Sequence, residues 1–402
     1  MPKEPDAPLK STPRPTRPEK AIEVTPKLLS EAVVASGAML LKMQETFDAP
    51  GTPKSEWPYQ GVYRVEGRIP IGYRVGGTSI CAIALIRCPD IEKDAPRREA
   101  LMRACDFVCA QTAHPLMSVD DYDAGYDVRG WGYTFGLDFL LTLKREKLVP
   151  ADREEKVQKT IAFFIDALER TAIPEAGGWN YARPAGKDKS APPSSFMTAS
   201  TLLVLYDARR DGYAVKDEVV DRALKFLITS RDRGPKAGDP EKGTSVVYSG
   251  SSRVGRDSSA ELPGATGRMC VTEAALFLAG KSGEVELRTA VDAFIEHWDA
   301  LDVRRMQTGT HVAPYGVAPY YFMFAHRYAA MCVEMLPEPL RAERRDKIHS
   351  LMFGVRSSDG TWNDRVFPRS ASYGTAMAVL TMTQPTVGLP SRWVAGKGGE
   401  EK

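Results

Sequence analysis

Apolar residues recur along this chain at helical spacing from Thr25 to Gln384, and no stretch alternates apolar and polar for long enough, between hairpin turns, to form a half-buried strand. Two kinds of helix alternate. The first carries a single apolar stripe: over 151–171, Val157, Ile161, Phe164, Ile165 and Leu168 share one face, with Arg153, Glu154, Glu155 and Lys159 opposite. Segments 215–231 (Val219, Ala223, Phe226, Leu227) and 341–356 (Ile348, Leu351, Met352, Val355) repeat it, and such helices keep one face in water. The second kind is apolar or small on nearly every side, as in 76–88, 129–143, 194–208, 266–280, 315–336 and 372–382. A helix of this kind must be covered all round.

Pairing each enclosed helix with the amphipathic one before it gives six units: 26–47 with 76–88, 94–114 with 130–146, 151–171 with 194–209, 215–231 with 265–281, 284–300 with 316–336, and 337–356 with 370–383. Their spacing, roughly 50 to 70 residues, is that of a repeat architecture. An open solenoid would wet both helix layers, so the strong asymmetry between the two kinds predicts closure into a ring. The expected fold class is all-α, an (α/α)6 toroid of six outer–inner helix pairs over 25–385, with a disordered proline-rich tail over 1–24 and a C-terminal tail over 386–402.

The turns agree. GGWN (177–180) and DGTWN (359–363) stand in equivalent places between an amphipathic and an enclosed helix, where glycine supplies the reversal and Trp179 and Trp362 can plug the gap between neighbouring pairs. Together with the inner helix SYGTAMAVLTM, these turns resemble the repeats of the squalene cyclase and protein prenyltransferase superfamily. The set RGWGYTFGLDFLLTL, GGWNY, YGVAPYYFMFAHRYAAMC and DGTWN is especially similar to the planctomycete-type prenyltransferase/squalene oxidase repeat proteins of bacteria. That resemblance covers about residues 26–385 and implies the toroid fold.

The chemistry it would imply departs. Cyclases of this type use a DxDD acid, and none occurs. The nearest acidic cluster, DDYDAGYD (120–127), makes Asp120, Asp121 and Asp123 candidates for acid catalysis or a cation, against the alternative of a solvated or helix-capping loop. The prenyltransferase zinc triad would need an Asp two residues before Cys270 and a His on the next inner helix. Arg268 and Ala318 stand there, so no metal and no cofactor is expected. A thioester-type CGEQ, a GxSxG elbow, a P-loop and a dinucleotide fingerprint are all missing.

Composition narrows the partners. A formal charge of +2 with both signs mixed throughout argues against nucleic acid, and the longest apolar runs, 196–206 and 269–280, are about half of what a membrane-spanning helix needs. No apolar signal-peptide core is present near the start, so the chain reads as soluble, cytoplasmic or exported after removal of a signal. All six cysteines fall in apolar helical stretches and read as buried thiols. Cys105 and Cys109, one turn apart, offer at most half a metal site.

What remains is the ring's mouth, where inner-helix N-termini point and favour anions. Arg74, Arg129, Trp131, Tyr133, Arg253, Arg256, Arg268, His311, Tyr315, Tyr320, Asp364, Arg365, Arg369 and Tyr373 are expected there, with Arg129, Trp131, Arg268, Tyr320, Arg365, Arg369 and Tyr373 the ligand-binding candidates. The competing reading pairs the arginines with Asp127, Asp257, Glu261 and Asp364 in local salt bridges. His311, in a mouth loop, is the one histidine placed for acid–base work, and the long polar loop 232–264 is a candidate cover. The sequence thus predicts a toroid that binds an anionic or hydrophobic small molecule, or a protein partner, through its mouth. Its alternative is a divergent enzyme on an isoprenoid, lipid or polysaccharide.

Overall fold

Thr25 opens the first helix: its hydroxyl accepts the Leu28 amide, and Pro26 fills the first turn, where no amide is needed. From there the computed structural model of the chain describes residues 21–47, 52–119, 128–181, 192–232, 246, 261–307, 309–312 and 315–396. Among them there are thirteen α-helices and, in place of strands, three isolated bridges. The proline-rich segment 1–20, the acidic loop 120–127 and nearly all of loop 232–264 lie outside the described residues.

The inner ring is α2 (Ile71–Arg87), α4 (Arg129–Arg145), α6 (Ser195–Arg210), α8 (Leu262–Leu278), α11 (Tyr321–Met335) and α13 (Ser370–Thr383). Each packs on the next, and α13 returns to α2, which closes the circle. The outer layer is α1 (Pro26–Met43), α3 (Ala95–Ala110), α5 (Glu154–Thr171), α7 (Asp217–Asp232), α9 (Glu284–Glu296) and α12 (Arg341–Phe353), with the short α10 (Trp298–Asp302) after α9. The polarity split follows the layers. In α5 only the face with Val157, Ile161, Phe164, Ile165 and Leu168 is buried, whereas in α11 every residue is.

Outer helices pack most extensively on the inner helix that precedes them, α5 on α4 and α9 on α8, not on the one that follows. Connection length is the cause. Inner-to-outer links such as Glu146–Arg153 and Asp211–Lys216 are short enough to make antiparallel helix hairpins, while outer-to-inner links such as 44–70 and 303–320 are long. The first outer helix has no predecessor and packs on α13 instead, so the two ends of the chain close the ring. The expected helix over 316–336 starts only at Tyr321. Gly316, at φ 59°, and the Val312–Val317 bridge hold the preceding residues in a turn.

Three tryptophans in these long links are held alike. The indole nitrogens of Trp57, Trp179 and Trp362 donate to the carbonyls of Leu40, Leu168 and Met352, near the C-terminal ends of α1, α5 and α12, at 2.7, 2.7 and 2.8 Å. Their backbone amides donate to the hydroxyls of Thr78, Thr198 and Thr375 on the next inner helices, at 2.9, 3.0 and 3.2 Å. Each tryptophan therefore ties the end of an outer helix to the first turns of an inner one, with both polar groups satisfied while the ring is wholly buried. The link lies so close to the inner helix that a Cβ on Gly374 would stand 2.4 Å from the Trp362 carbonyl oxygen, a backbone atom with little room to move.

The far end of the ring, at the inner-helix C-termini, is crossed by residues 387–396. The Ser391 amide donates to Asp207, the Trp393 amide to the Leu278 carbonyl, and the Trp393 ring lies 4.0 Å from the Arg209 guanidinium.

Thr375→Val keeps the shape of the side chain and removes the acceptor for the buried Trp362 amide. Chemical denaturation is expected to show a loss of about 1–3 kcal/mol, and a change within a few tenths would show that the amide finds another partner.

Candidate functional site

The tryptophan ties fix what stands two residues further on. Trp57, Trp179 and Trp362 are followed at that offset by Tyr59, Tyr181 and Asp364, and all three are buried at the mouth end of the inner ring. They belong to one cluster. The Tyr59 ring lies 4.5 Å from Tyr373 and 5.4 Å from Trp131, and Trp131 continues to Tyr73 and Phe135 at 5.5 and 5.1 Å. Arg365 donates from Nε to the Tyr59 hydroxyl at 3.0 Å and lies over the Tyr320 ring at 5.4 Å. Tyr181 donates to the Tyr320 hydroxyl at 2.9 Å, and Tyr320 meets His311 Nε2 at 3.2 Å.

His311 is exposed and also faces the Gly316 carbonyl through Nδ1 at 2.7 Å. A carbonyl only accepts, so the Nδ1 atom carries the proton, and the neutral ring accepts the Tyr320 hydroxyl at Nε2. A run of three donors thus leads from solvent at His311 through Tyr320 to Tyr181.

Asp364 is the anomaly in this cluster. Its side chain has no exposed surface, and neither carboxylate oxygen accepts a hydrogen bond from another described residue. Burial pushes its carboxyl up to about 7, against the opposing pull of Arg365, then of its own backbone amide, and more weakly of Arg305. Arg305 is engaged elsewhere, donating to Asp302 at 2.7 Å. Arg365 Nη2 is buried and likewise has no partner. A half-protonated carboxyl and a charged guanidinium therefore stand side by side near neutral pH, each with unused hydrogen-bonding capacity.

The candidates named from sequence divide. Trp131, Tyr320, Arg365, Tyr373 and His311 come together in this cluster. Arg129 and Arg268 are buried with their guanidinium groups on backbone, Arg129 Nη1 on the Ser118 carbonyl at 2.5 Å and Arg268 on Val246 and Gly264 at 2.8 and 2.7 Å. Arg369 makes a two-pronged ion pair with Glu45 at 2.7 and 3.1 Å, and Arg74 does the same with Glu56 at 2.7 and 2.8 Å. In these contacts all four are bonded to the chain itself. Asp120, Asp121, Asp123, Asp127, Arg253, Arg256 and Asp257 lie outside the described residues. Asp364, read from sequence as a salt-bridge partner, makes no ion pair there. Tyr59 and Tyr181 were not anticipated, although the repeated offset in WPY, WNY and WND would have found both.

No protein-family model matches the chain, and no curated protein does. Solved structures match over nearly its full length. The chain is similar to unsaturated glucuronyl hydrolase from Streptococcus agalactiae at TM-score 0.57 and 10% identity, covering 96% of this chain and 99% of that one. It is similar to unsaturated glucuronyl hydrolase from Bacillus sp. GL1, described as responsible for the degradation of glycosaminoglycan, at TM-score 0.53 and 13% identity, covering 92% and 98%. An alpha-1,6-mannanase from Salegentibacter sp. HEL1_6 follows at TM-score 0.51 and 12% identity, covering 89% and 99%. At these identities the likeness is one of fold, and that fold is the α/α toroid.

Burial of Asp364 has a sign that can be measured. Its carboxyl titrates about 7 in the folded chain and near 3.8 otherwise, so the neutral group is tolerated at low pH and stability is lost as pH rises through that window. Asp364→Asn removes the loss. Relative to wild type, the variant is expected to gain up to about 4 kcal/mol between pH 4 and pH 8. A stability difference independent of pH, followed by urea denaturation, would contradict a raised carboxyl.

Proposed function

We propose that this toroid is an enzyme acting on an acidic saccharide, with Asp364 as the general acid and Arg365 as the group that recognises the substrate's carboxylate. The observation that carries this reading is the uncompensated Asp364 carboxyl. Its position costs stability, a cost tolerated where chemistry needs it, and a carboxyl that is half-protonated near neutral pH can donate a proton to a leaving or accepting oxygen. Arg365 offers Nη2 to an anion, and the Tyr59, Tyr320 and Trp131 rings supply the flat apolar faces on which sugar rings rest. The fold shared with saccharide hydrolases supports the substrate class. The residues argue for the acid.

An isoprenoid or lipid substrate, which the turn motifs implied through their resemblance to squalene cyclases, finds less support. A long apolar chain needs a deep cavity along the axis, and that axis is occupied by Trp131, Tyr59, Tyr73 and Tyr373 in mutual contact. For a ligand to reach the buried Asp364 and Arg365, the Arg365 Nη1 bond to the Gly309 carbonyl at 3.4 Å and the His311–Tyr320 bond would have to open.

One observation favours a second reading, a toroid that binds such a ligand without turning it over. Glycosidic cleavage ordinarily uses two carboxyl groups, and no other described carboxylate acts on Asp364. In the enzymatic reading Asp120, Asp121 and Asp123 are the candidates for the second.

Release of reducing ends from a panel of uronic-acid polysaccharides and their oligosaccharides distinguishes the two. Turnover by the wild-type chain is expected to fall by about 10²–10⁴ in Asp364→Asn, while Arg365→Lys raises KM for acidic substrates more than for neutral ones. Saturable binding without turnover would establish the second reading. Equal turnover in Asp364→Asn would overturn the assignment of the acid, and neither binding nor turnover on the panel would overturn both.

A further inference from the structure

On the outer layer, α3 and α5 flank a surface pocket of about 440 Å³ lined by Cys109, Thr112, Asp152, Glu155, Lys156, Lys159 and Thr160. Cys109 stands in the last turn of α3, and Cys105 lies one turn before it, turned into the core at 1% exposure. We propose that Cys109 is an oxidation site for small hydroperoxides, with Cys105 as the thiol that resolves it to a disulfide.

All six cysteines are buried, Cys109 at 4% exposure, and what sets Cys109 apart is that it lines this pocket. Burial pushes the Cys81, Cys88 and Cys332 thiols up, Cys88 to about 11, and the bond with Cys109 together with burial holds the Cys105 thiol above the usual range as well. Cys109 is shifted the other way: the neighbouring Cys105 thiol, and more weakly Thr160 and the Lys156 ammonium, hold it below the usual thiol range against burial and Asp106. The thiolate that results is the nucleophile, and the pocket gives a small oxidant a way to its sulfur.

In the first step the Cys109 thiolate attacks one oxygen of the hydroperoxide. An S–O bond forms, the O–O bond breaks, the sulfur is oxidised to sulfenic acid, and hydroxide or alkoxide leaves with the electron pair. In the second, Cys105 attacks that sulfur, the S–S bond forms, the S–O bond breaks, and the Cys105 proton leaves with the hydroxide as water. Four residues of helix separate the two Cα atoms by about 6 Å, within the span a disulfide bridges. The remaining approach of the Cβ atoms falls on the last turn of α3, which already gives way to a 3-10 turn at Gln111.

The test uses the whole reduced chain, with hydrogen peroxide as the probe and peptide mapping by mass spectrometry as the readout. Wild type is expected to lose two hydrogens from the peptide carrying Cys105 and Cys109, at least about tenfold faster than any change at Cys81, Cys88, Cys270 or Cys332. In Cys105→Ser the sulfenic acid should persist on Cys109 and be captured by dimedone, and in Cys109→Ser the peptide should stay unmodified. Oxidation of Cys109 no faster than that of the other four, a comparison that needs no variant, would overturn the proposal. A lasting sulfenic acid in wild type would overturn the part assigned to Cys105.

Discussion

The structure depends on one repeated constraint, the tryptophan that ties the end of an outer helix to the start of an inner one. Trp57, Trp179 and Trp362 use the same two bonds, indole to an outer-helix carbonyl and amide to an inner-helix threonine. A large buried ring with both polar groups satisfied is stable in one orientation only. It therefore sets the angle of the long links and the direction of the chain after them. Those links share one end of the ring, so three of them deliver their next-but-one residue to one mouth.

Where that residue is tyrosine the mouth is simply packed. Where it is Asp364 the same geometry carries a carboxyl into a place that has no partner for it, since the inner ring around it supplies Tyr59 and Tyr373 and the nearest cation, Arg365, is bonded to Tyr59. The scaffold that makes Tyr59 and Tyr181 stable makes Asp364 costly. Other buried polar atoms also go without a partner among the described residues, both side-chain atoms of Gln60 among them, whereas His326, just as buried as Asp364, accepts the Trp298 indole at one nitrogen and donates to the Phe322 carbonyl at the other. Burial holds it neutral, near 4, and it is purely structural. An unpartnered carboxyl beside a charged guanidinium, among aromatic rings, is what the proposed acid rests on.

Much of the ring was legible in the sequence because burial on one side or on all sides leaves a periodic trace: α5 and α11 differ in pattern as they differ in position. The glycine–tryptophan turns at 177–180 and 359–363 were legible too. Trp57 was not, because Ser55 stands where the other links carry Gly177 and Gly360, and Pro58 where they carry Asn180 and Asn363, so the tie shows only in the spacing to Thr78. The mouth was half legible. Arg129 and Arg268 fall at inner-helix N-terminal turns as a ligand-binding arginine would, yet their guanidinium groups meet the Ser118, Val246 and Gly264 carbonyls, and a residue pattern carries no record of where a backbone carbonyl will point. Asp364 beside Arg365 reads in sequence as an ion pair, and only the geometry separates adjacent residues that do not bond from those that do.

The central claim is that Asp364 holds its proton near neutral pH. It is tested most directly by following the carboxyl carbon shifts of the chain, labelled with carbon-13 at aspartate, through a pH titration, with Asp364→Asn to assign the signal. One aspartate with a midpoint about 7, missing from the variant, is the predicted result. A chain in which every aspartate has titrated by pH of about 5, as unperturbed carboxyls do, would contradict it.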